Sequence, residues 1–352
     1  MIKSQIRRFK REVLKRLVSP FLQWEPIHDA VAGFTIVLGA PWQLRELLDV
    51  NLQFLARQDL AGLDQICIVF DRDERSGASE LIESTRRRFP QLPLQFDFHS
   101  PRLSSLLQFI NQSKFYASTN WCMGLKRCRT QYAILHDFDL YPLDVGFFQK
   151  IIADMRQDQL RFSGAEYTHY DSLTDTDGII GTWELGIDAQ WLRSHTKPID
   201  CFHSVERVNG RMVDLDAFSS LQYQTQKRRL ATGVGAGSYA HVKNLCSTFL
   251  RFESGDPFNA AWRIHHLMYL RSLVHGEDYL RKQIDAMNSA RSGVLTIEGR
   301  QVDFSTEHFT CANVLRDELL LIEKALYNPC RPIVLEFINA SVDFFSKFGK
   351  HG

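Results

Sequence analysis

Residues 132–142 read Tyr-Ala-Ile-Leu-His-Asp-Phe-Asp-Leu-Tyr-Pro. The apolar run 132–135 has the composition of a buried strand, and it passes directly into His136, Asp137, Phe138 and Asp139. Pro142 stops regular structure soon after. Alternate residues of an extended chain point to the same side, so Asp137 and Asp139 can converge while Phe138 packs the other way. Two converging carboxylates suit a hard divalent cation or accept hydrogen bonds from sugar hydroxyls, and such a cation can neutralise a diphosphate.

The segments upstream supply the context. Apolar runs at 34–38, 65–70 and 92–98 read as three strands before the one at 132–135, with helical stretches at 43–58, 79–89 and 115–127 between them. Strands alternating with helices predict an α/β fold, a mixed and mainly parallel sheet flanked by helices and joined by right-handed crossovers. In such sheets ligands bind beyond the carboxyl ends of the strands, which is where these acids stand. From about residue 256 the pattern becomes mainly helical. The expected organisation is a basic amphipathic helix at 1–23, the α/β domain at 30–252, and a helical C-terminal subdomain or lid at 256–352.

Several classes are disfavoured. Lys plus Arg is 42 against 41 Asp plus Glu, so charge gives no reason to expect a nucleic-acid partner. The first strand leads into Gly39-Ala-Pro-Trp42, without the GxGxxG of a dinucleotide fold, and no GxxxxGK[ST] is present. A sugar nucleotidyltransferase normally needs a basic, Gly-rich loop at this point, and the segment has no base. The seven cysteines are scattered without a CxxC pair, which suits reduced thiols in a cytoplasmic protein. Gly233-Val-Gly-Ala-Gly237 reads as a mobile loop. Asp175, Asp177, Gly178 and Glu184 fall at calcium-loop positions, but Leu173 occupies the first, so an acidic surface loop is the better account. His265 and His266 fall within a helical pattern and are not read as ligands.

Charge is unevenly placed. Residues 1–23 carry seven Lys/Arg and one acid, leaving the remaining chain mildly acidic. Ile2, Ile6, Phe9, Val13, Leu17 and Phe21 recur at helical spacing, with cations over much of the remaining surface. Such a helix suits the inner face of an anionic membrane, or it docks on its own domain. No signal peptide or membrane-spanning stretch is expected.

Taken together, these residues resemble the GT-A glycosyltransferases that use nucleotide-sugar donors. The His136-Asp137-Phe138-Asp139-Leu140-Tyr141-Pro142 segment has the HDxDLxP form of the β-1,4-galactosyltransferase type, while the rest is more similar to the broad inverting family 2. Asp71 and Asp73 end the second strand, where that group has acids contacting base and ribose. Asn120 and Lys126 lie in what looks like the helix before the DxD. The segment 181–193 looks like the one that binds donor sugar and acceptor. The resemblance implies that Asp137 meets the ribose or the metal, and that Asp139, joined in some members by a later His such as His241, carries Mn²⁺ or Mg²⁺. Asp214 or Asp216 would be the general base, with Glu184 in reserve, and Trp183 would offer a face for the sugar ring. It implies a nucleotide-sugar donor, a UDP-sugar first among them, and a glycan or lipid-linked acceptor. A retaining transferase and a non-catalytic nucleotide-sugar-binding protein of the same fold stay open.

Overall fold

A computed structural model of the chain describes residues 2–74, 77–168, 170, 178–208, 210–256, 260–308 and 310–350. The chain divides into two compact units, one made of residues 1–42, 58–138 and 145–236, the other of residues 43–57, 139–144 and 237–352. In chain order the first half holds α1 (Ile2–Val18), β1 (Val31–Ala40), α2 (Leu48–Leu55), β2 (Leu63–Phe70), α3 (Ala78–Arg88), β3 (Leu94–Phe98), α4 (Pro101–Ile110) and α5 (Ser113–Arg127). There follow β4 (Thr130–His136), β5 (Leu140–Pro142), α6 (Phe147–Gln157), β6 (Phe162–Gly164), β7 (Tyr167–Thr168), β8 (Ile179–Ile180), β9 (Glu184–Asp188) and α7 (Ala189–His195). Then come β10 (Ser204–Val208), β11 (Arg211–Leu215), α8 (Ser219–Thr225), β12 (Arg228–Leu230), β13 (Tyr239–His241) and α9 (Leu245–Ser254). The C-terminal stretch adds α10 (Arg263–His275), α11 (Glu277–Asn288), β14 (Val294–Ile297), β15 (Arg300–Asp303), α12 (Thr310–Leu326) and α13 (Pro332–Phe348).

The first unit is built on a seven-stranded sheet in the order β12-β6-β9-β4-β1-β2-β3. Strands β3, β2, β1 and β4 run parallel, and β9 lies antiparallel to both β4 and β6. This is the α/β architecture expected from the alternation of strand and helix. The reason is visible in side chains. Ile36, Val37 and Leu38 of β1, Ile66–Phe70 of β2 and Ala133–Leu135 of β4 are all buried, as strands covered on both faces require. Helix α5 lies close over β1 because Gly124 has no side chain there. A Cβ at that position would come within 2.2 Å of Val37 Cγ1.

Two expectations are adjusted in detail. The stretch 43–58 splits into a 3₁₀ turn, Trp42–Leu47, and the short helix α2. Helix α4 was not expected from the sequence. It starts where the Ser100 hydroxyl accepts from Leu103 N–H, with Pro101 in the first turn, a start signal that periodicity alone passes over.

In the second unit, α9–α13 form a helical body in which most of one helix is interior. Residues 263–272 of α10 are all buried, including Arg263, His265, His266 and Arg271. The expected helical region also contains a hairpin, β14–β15, closed by Glu298 and Gly299. Both have positive φ, as a two-residue turn that follows strand twist requires.

A candidate metal and nucleotide site

Strand β4 delivers His136 as its last residue, and the chain then turns through the two aspartates. Asp137 N–H donates to Trp183 O at 2.9 Å, and its own Oδ1 accepts from Phe138 N–H at 3.0 Å. Phe138 is buried, so it anchors the turn between two carboxylates. Beyond it, β5 pairs antiparallel with β13, setting His241 opposite Leu140. Asp139 is held at its backbone and its side chain. Its carbonyl accepts from Val242 N–H at 3.0 Å, and Oδ2 accepts from Cys246 N–H, at the start of α9, at 3.3 Å. Its Oδ1 lies 3.6 Å from His241 Nε2. That is too long for a direct hydrogen bond and suits two groups facing a common third atom.

Asp139 and His241 thus offer a carboxylate oxygen and an imidazole nitrogen to a common point, and Asp137 precedes Asp139 by two residues in sequence. Ligands about 2.1 Å from a small divalent ion stand ~3–4 Å apart, and the 3.6 Å between Asp139 and His241 falls in that range. Two carboxylates and one imidazole form a donor set that suits Mn²⁺ and admits Mg²⁺. The fit is chemical as well as geometric.

Behind the turn, His136 Nδ1 and Glu184 Oε2 are 2.8 Å apart, across a β4–β9 register pair, with both side chains fully buried. Glu184, the reserve base of the sequence reading, therefore lies inside the fold, where it orients His136. Trp183, one residue earlier, is half-buried over Gly181. A Cβ on that glycine would meet the indole at 2.3 Å.

At the carboxyl end of β2, Asp71 is buried and accepts from Trp42 N–H at 2.8 Å, tying the turn after β1. Asp73 accepts from Ser104 Oγ at 3.2 Å and lines a cavity of about 600 Å³ with Phe96, Asp97, Phe98 and His99. Asn120 reaches this end of the sheet from α5, and its Oδ1 lies 2.7 Å from His99 Nε2. Burial lowers the His99 imidazole to about 4, so it is neutral at physiological pH. The neutral ring donates from Nε2, which makes Nδ1 the acceptor. His99 was missed at the sequence level, although it directly follows β3 just as the acids follow β2 and β4.

Lys126 is placed elsewhere. It is exposed in the last turn of α5, at the end that leads into the start of β4. Seven residues of strand, roughly 20 Å, separate that edge from Asp137. The structure therefore does not bring Lys126 to the carboxyl ends of the strands, because α5 runs opposite to β4.

Asp214 and Asp216 are on and just after β11, ahead of α8. Asp214 is gripped at both oxygens by Arg11 of α1, with Nη2–Oδ2 at 2.7 Å and Nη1 on Oδ1. Burial would raise its carboxyl, but the guanidinium outweighs this and holds it below the usual carboxylate range. Asp216 is half-buried. Its N–H donates to Tyr170 Oη at 3.0 Å and its Oδ1 accepts from Ala217 N–H at 2.9 Å. Asp175 and Asp177 lie outside the described residues, while the glycine cluster at 233–237 is part of the turns joining β12 to β13. His265 and His266 lie in the second unit's helical body.

No protein-family model matches the chain, and no curated protein matches it. Among solved structures, it is similar to the mannosyltransferase PcManGT from Pyrobaculum calidifontis, in complex with GDP-Man and Mn²⁺, at TM-score 0.42 and 12% identity over 98% of both chains. It is similar to S. aureus TarS 1–349 at TM-score 0.41 and 11% identity over 89% of both. The galactosyltransferase LgtC matches at TM-score 0.36 and 13% identity, over 47% of this chain and 62% of that one. At such values the functional reading rests on the site itself. No described helix is long and apolar enough to cross a membrane.

Proposed function

We propose that the chain is a GT-A-type glycosyltransferase, a hexosyltransferase that moves a sugar from a nucleoside-diphosphate donor, UDP-linked first among them. The acceptor is a hydroxyl of a glycan or lipid-linked molecule, in the synthesis of a surface polysaccharide or glycoconjugate. The observation that carries this reading is the approach of Asp139 to His241, 3.6 Å apart just past the end of a buried strand, with Asp137 two residues before.

In this reading Asp137, Asp139 and His241 hold Mn²⁺ or Mg²⁺, which when bound supplies positive charge against the diphosphate. Asp73, His99 and Asn120 take the nucleoside at the carboxyl ends of β2 and β3, and Asp71 fixes the turn beside them. His99 reads the base as a neutral ring. Trp183 offers an apolar face to the donor sugar. Asp216 receives the acceptor proton as general base with inversion, because Arg11 already holds Asp214 as a fixed carboxylate. Glu184 acts through His136 as a positioning residue. We place the enzyme in the cytoplasm.

Calorimetric titration with UDP, GDP, CDP and TDP, each with and without Mn²⁺, tests the reading. Metal-dependent binding of one nucleotide, lost in Asp139→Ala, is the expected result. Failure to bind any of the four would overturn it. The Arg11 grip on Asp214 favours a second reading, a binding protein without turnover. Nucleotide binding with no sugar transfer to any acceptor, and indifference to Asp216→Asn, would select it.

A further inference from the structure

Helix α1 is docked the opposite way from an ordinary amphipathic helix. Val18 and Lys15 are buried and Arg11 reaches inward to Asp214, while Ile6, Phe9, Val13 and Leu17 face solvent at 50, 71, 42 and 47% exposure. The apolar stripe that would normally cover a core is turned outward. At ~100° per residue, Lys10 borders the stripe on one side and Arg16 on the other, and both are exposed. Helix α4, which packs against α1, carries a further exposed aromatic, Phe109, at 82% exposure.

We infer that this face of α1 is a docking surface for an anionic lipid bilayer. An apolar row bordered by cations matches the acyl boundary beneath a negatively charged headgroup layer. Charge chooses this occupant over a second copy of the chain. Two α1 faces brought together would oppose the basic residues of segments that each carry a net charge of +6. Because the inward face is already anchored by Arg11 and Val18, the helix meets the bilayer as part of the folded unit, without having to peel away. Docking is independent of the transferase reading, since vesicle binding and nucleotide binding are measured separately.

The test is flotation of the full chain with vesicles of phosphatidylcholine alone and of phosphatidylcholine mixed with phosphatidylglycerol. The chain should float with the anionic vesicles only, and rising salt should release it. Phe9→Ser with Leu17→Ser should weaken binding by roughly tenfold or more, the scale of losing two large apolar side chains from the interface. Lys10→Glu with Arg16→Glu should do the same. Both variants alter exposed residues, so an unchanged melting temperature is the control for folding. Absence of vesicle binding, or equal binding by wild type and both variants, overturns the proposal. So does a concentration-dependent dimer, seen by sedimentation, that the Phe9→Ser/Leu17→Ser variant abolishes.

Discussion

In the proposed reading the chemistry of the site turns on two single residues, His241 and Arg11. His241 is brought to Asp139 by one antiparallel pairing, β5 with β13, across about a hundred residues of sequence. On the proposed metal site, His241→Ala should weaken Mn²⁺-dependent nucleotide binding by at least about tenfold, the scale already reached by losing a ligand's hydrogen-bond partner, and leave the fold intact, as read by calorimetry beside a thermal melt. Arg11→Ala should cost about 1 kcal/mol of stability in denaturant titration, the loss of a partly buried, two-bonded ion pair. It should also raise the Asp214 pKa toward ordinary carboxylate values. A carbon-detected NMR titration of the side-chain carboxyl would follow that shift, and an unmoved Asp214 would show that Arg11 does not set it. At this scale the sequence was readable where a residue's role is local. Asp137 and Asp139 were visible in their own strand end. His99 was not, because its importance comes from a partner, Asn120, on a different element. Lys126 misled for the converse reason: its segment resembled a motif, but the direction of α5 carries it to the far edge.

Elements succeed or fail by how closely they can approach. Gly124→Ala should destabilise the protein by about 1–3 kcal/mol despite a helix-propensity gain of roughly 1, since the new Cβ meets Val37 on the central strand. Equilibrium denaturation with guanidinium reads the sign directly, and a stabilised variant would mean that α5 can lift without loss. Parallel strands were legible as short, wholly apolar runs, because burial on both faces leaves that mark. Strand β9 was less so. Its sequence, Glu184-Leu-Gly-Ile-Asp188, starts and ends in acids, and only its partners explain them: His136 for Glu184, and the capping of α7 for Asp188. The periodicity of residues 1–23 gave the helix but not which side it would present to the protein. Ion pairing with Asp214 decides that orientation, and no helical wheel contains Asp214.

For the whole molecule, protons bound on unfolding set the acid limit. Burial lowers His99 and His266 to about 4, and His203 and His265 to about 3. His265 is enclosed by Phe304, Phe337, Phe344 and Phe345, an environment that disfavours charge. In the unfolded chain all four titrate near 6.5. Between that value and 3–4 the unfolded state therefore holds more protons, so stability falls as pH drops through this window. Melting temperature should decline steadily from pH 7 to pH 4, and His265→Leu should make the decline shallower. An unchanged slope in that variant would mean that His265 does not remain neutral in the native state.

The interleaving of the two units carries a consequence for synthesis. Helix α2 belongs with β5 and the C-terminal segment, its Phe54 ring resting 5.0 Å from that of Tyr141. Yet roughly 180 residues separate the end of its segment from the start of the stretch at 237–352. A ribosome adding ~5–20 residues per second takes on the order of 10–40 s to cover that distance. Throughout, α2 has β5 to pack on once residues 139–144 are made, but it awaits its contact with α10. A nascent chain stalled in this interval presents to holding chaperones the side of α2 that α10 later covers, and truncation products ending before α10 should be the more aggregation-prone.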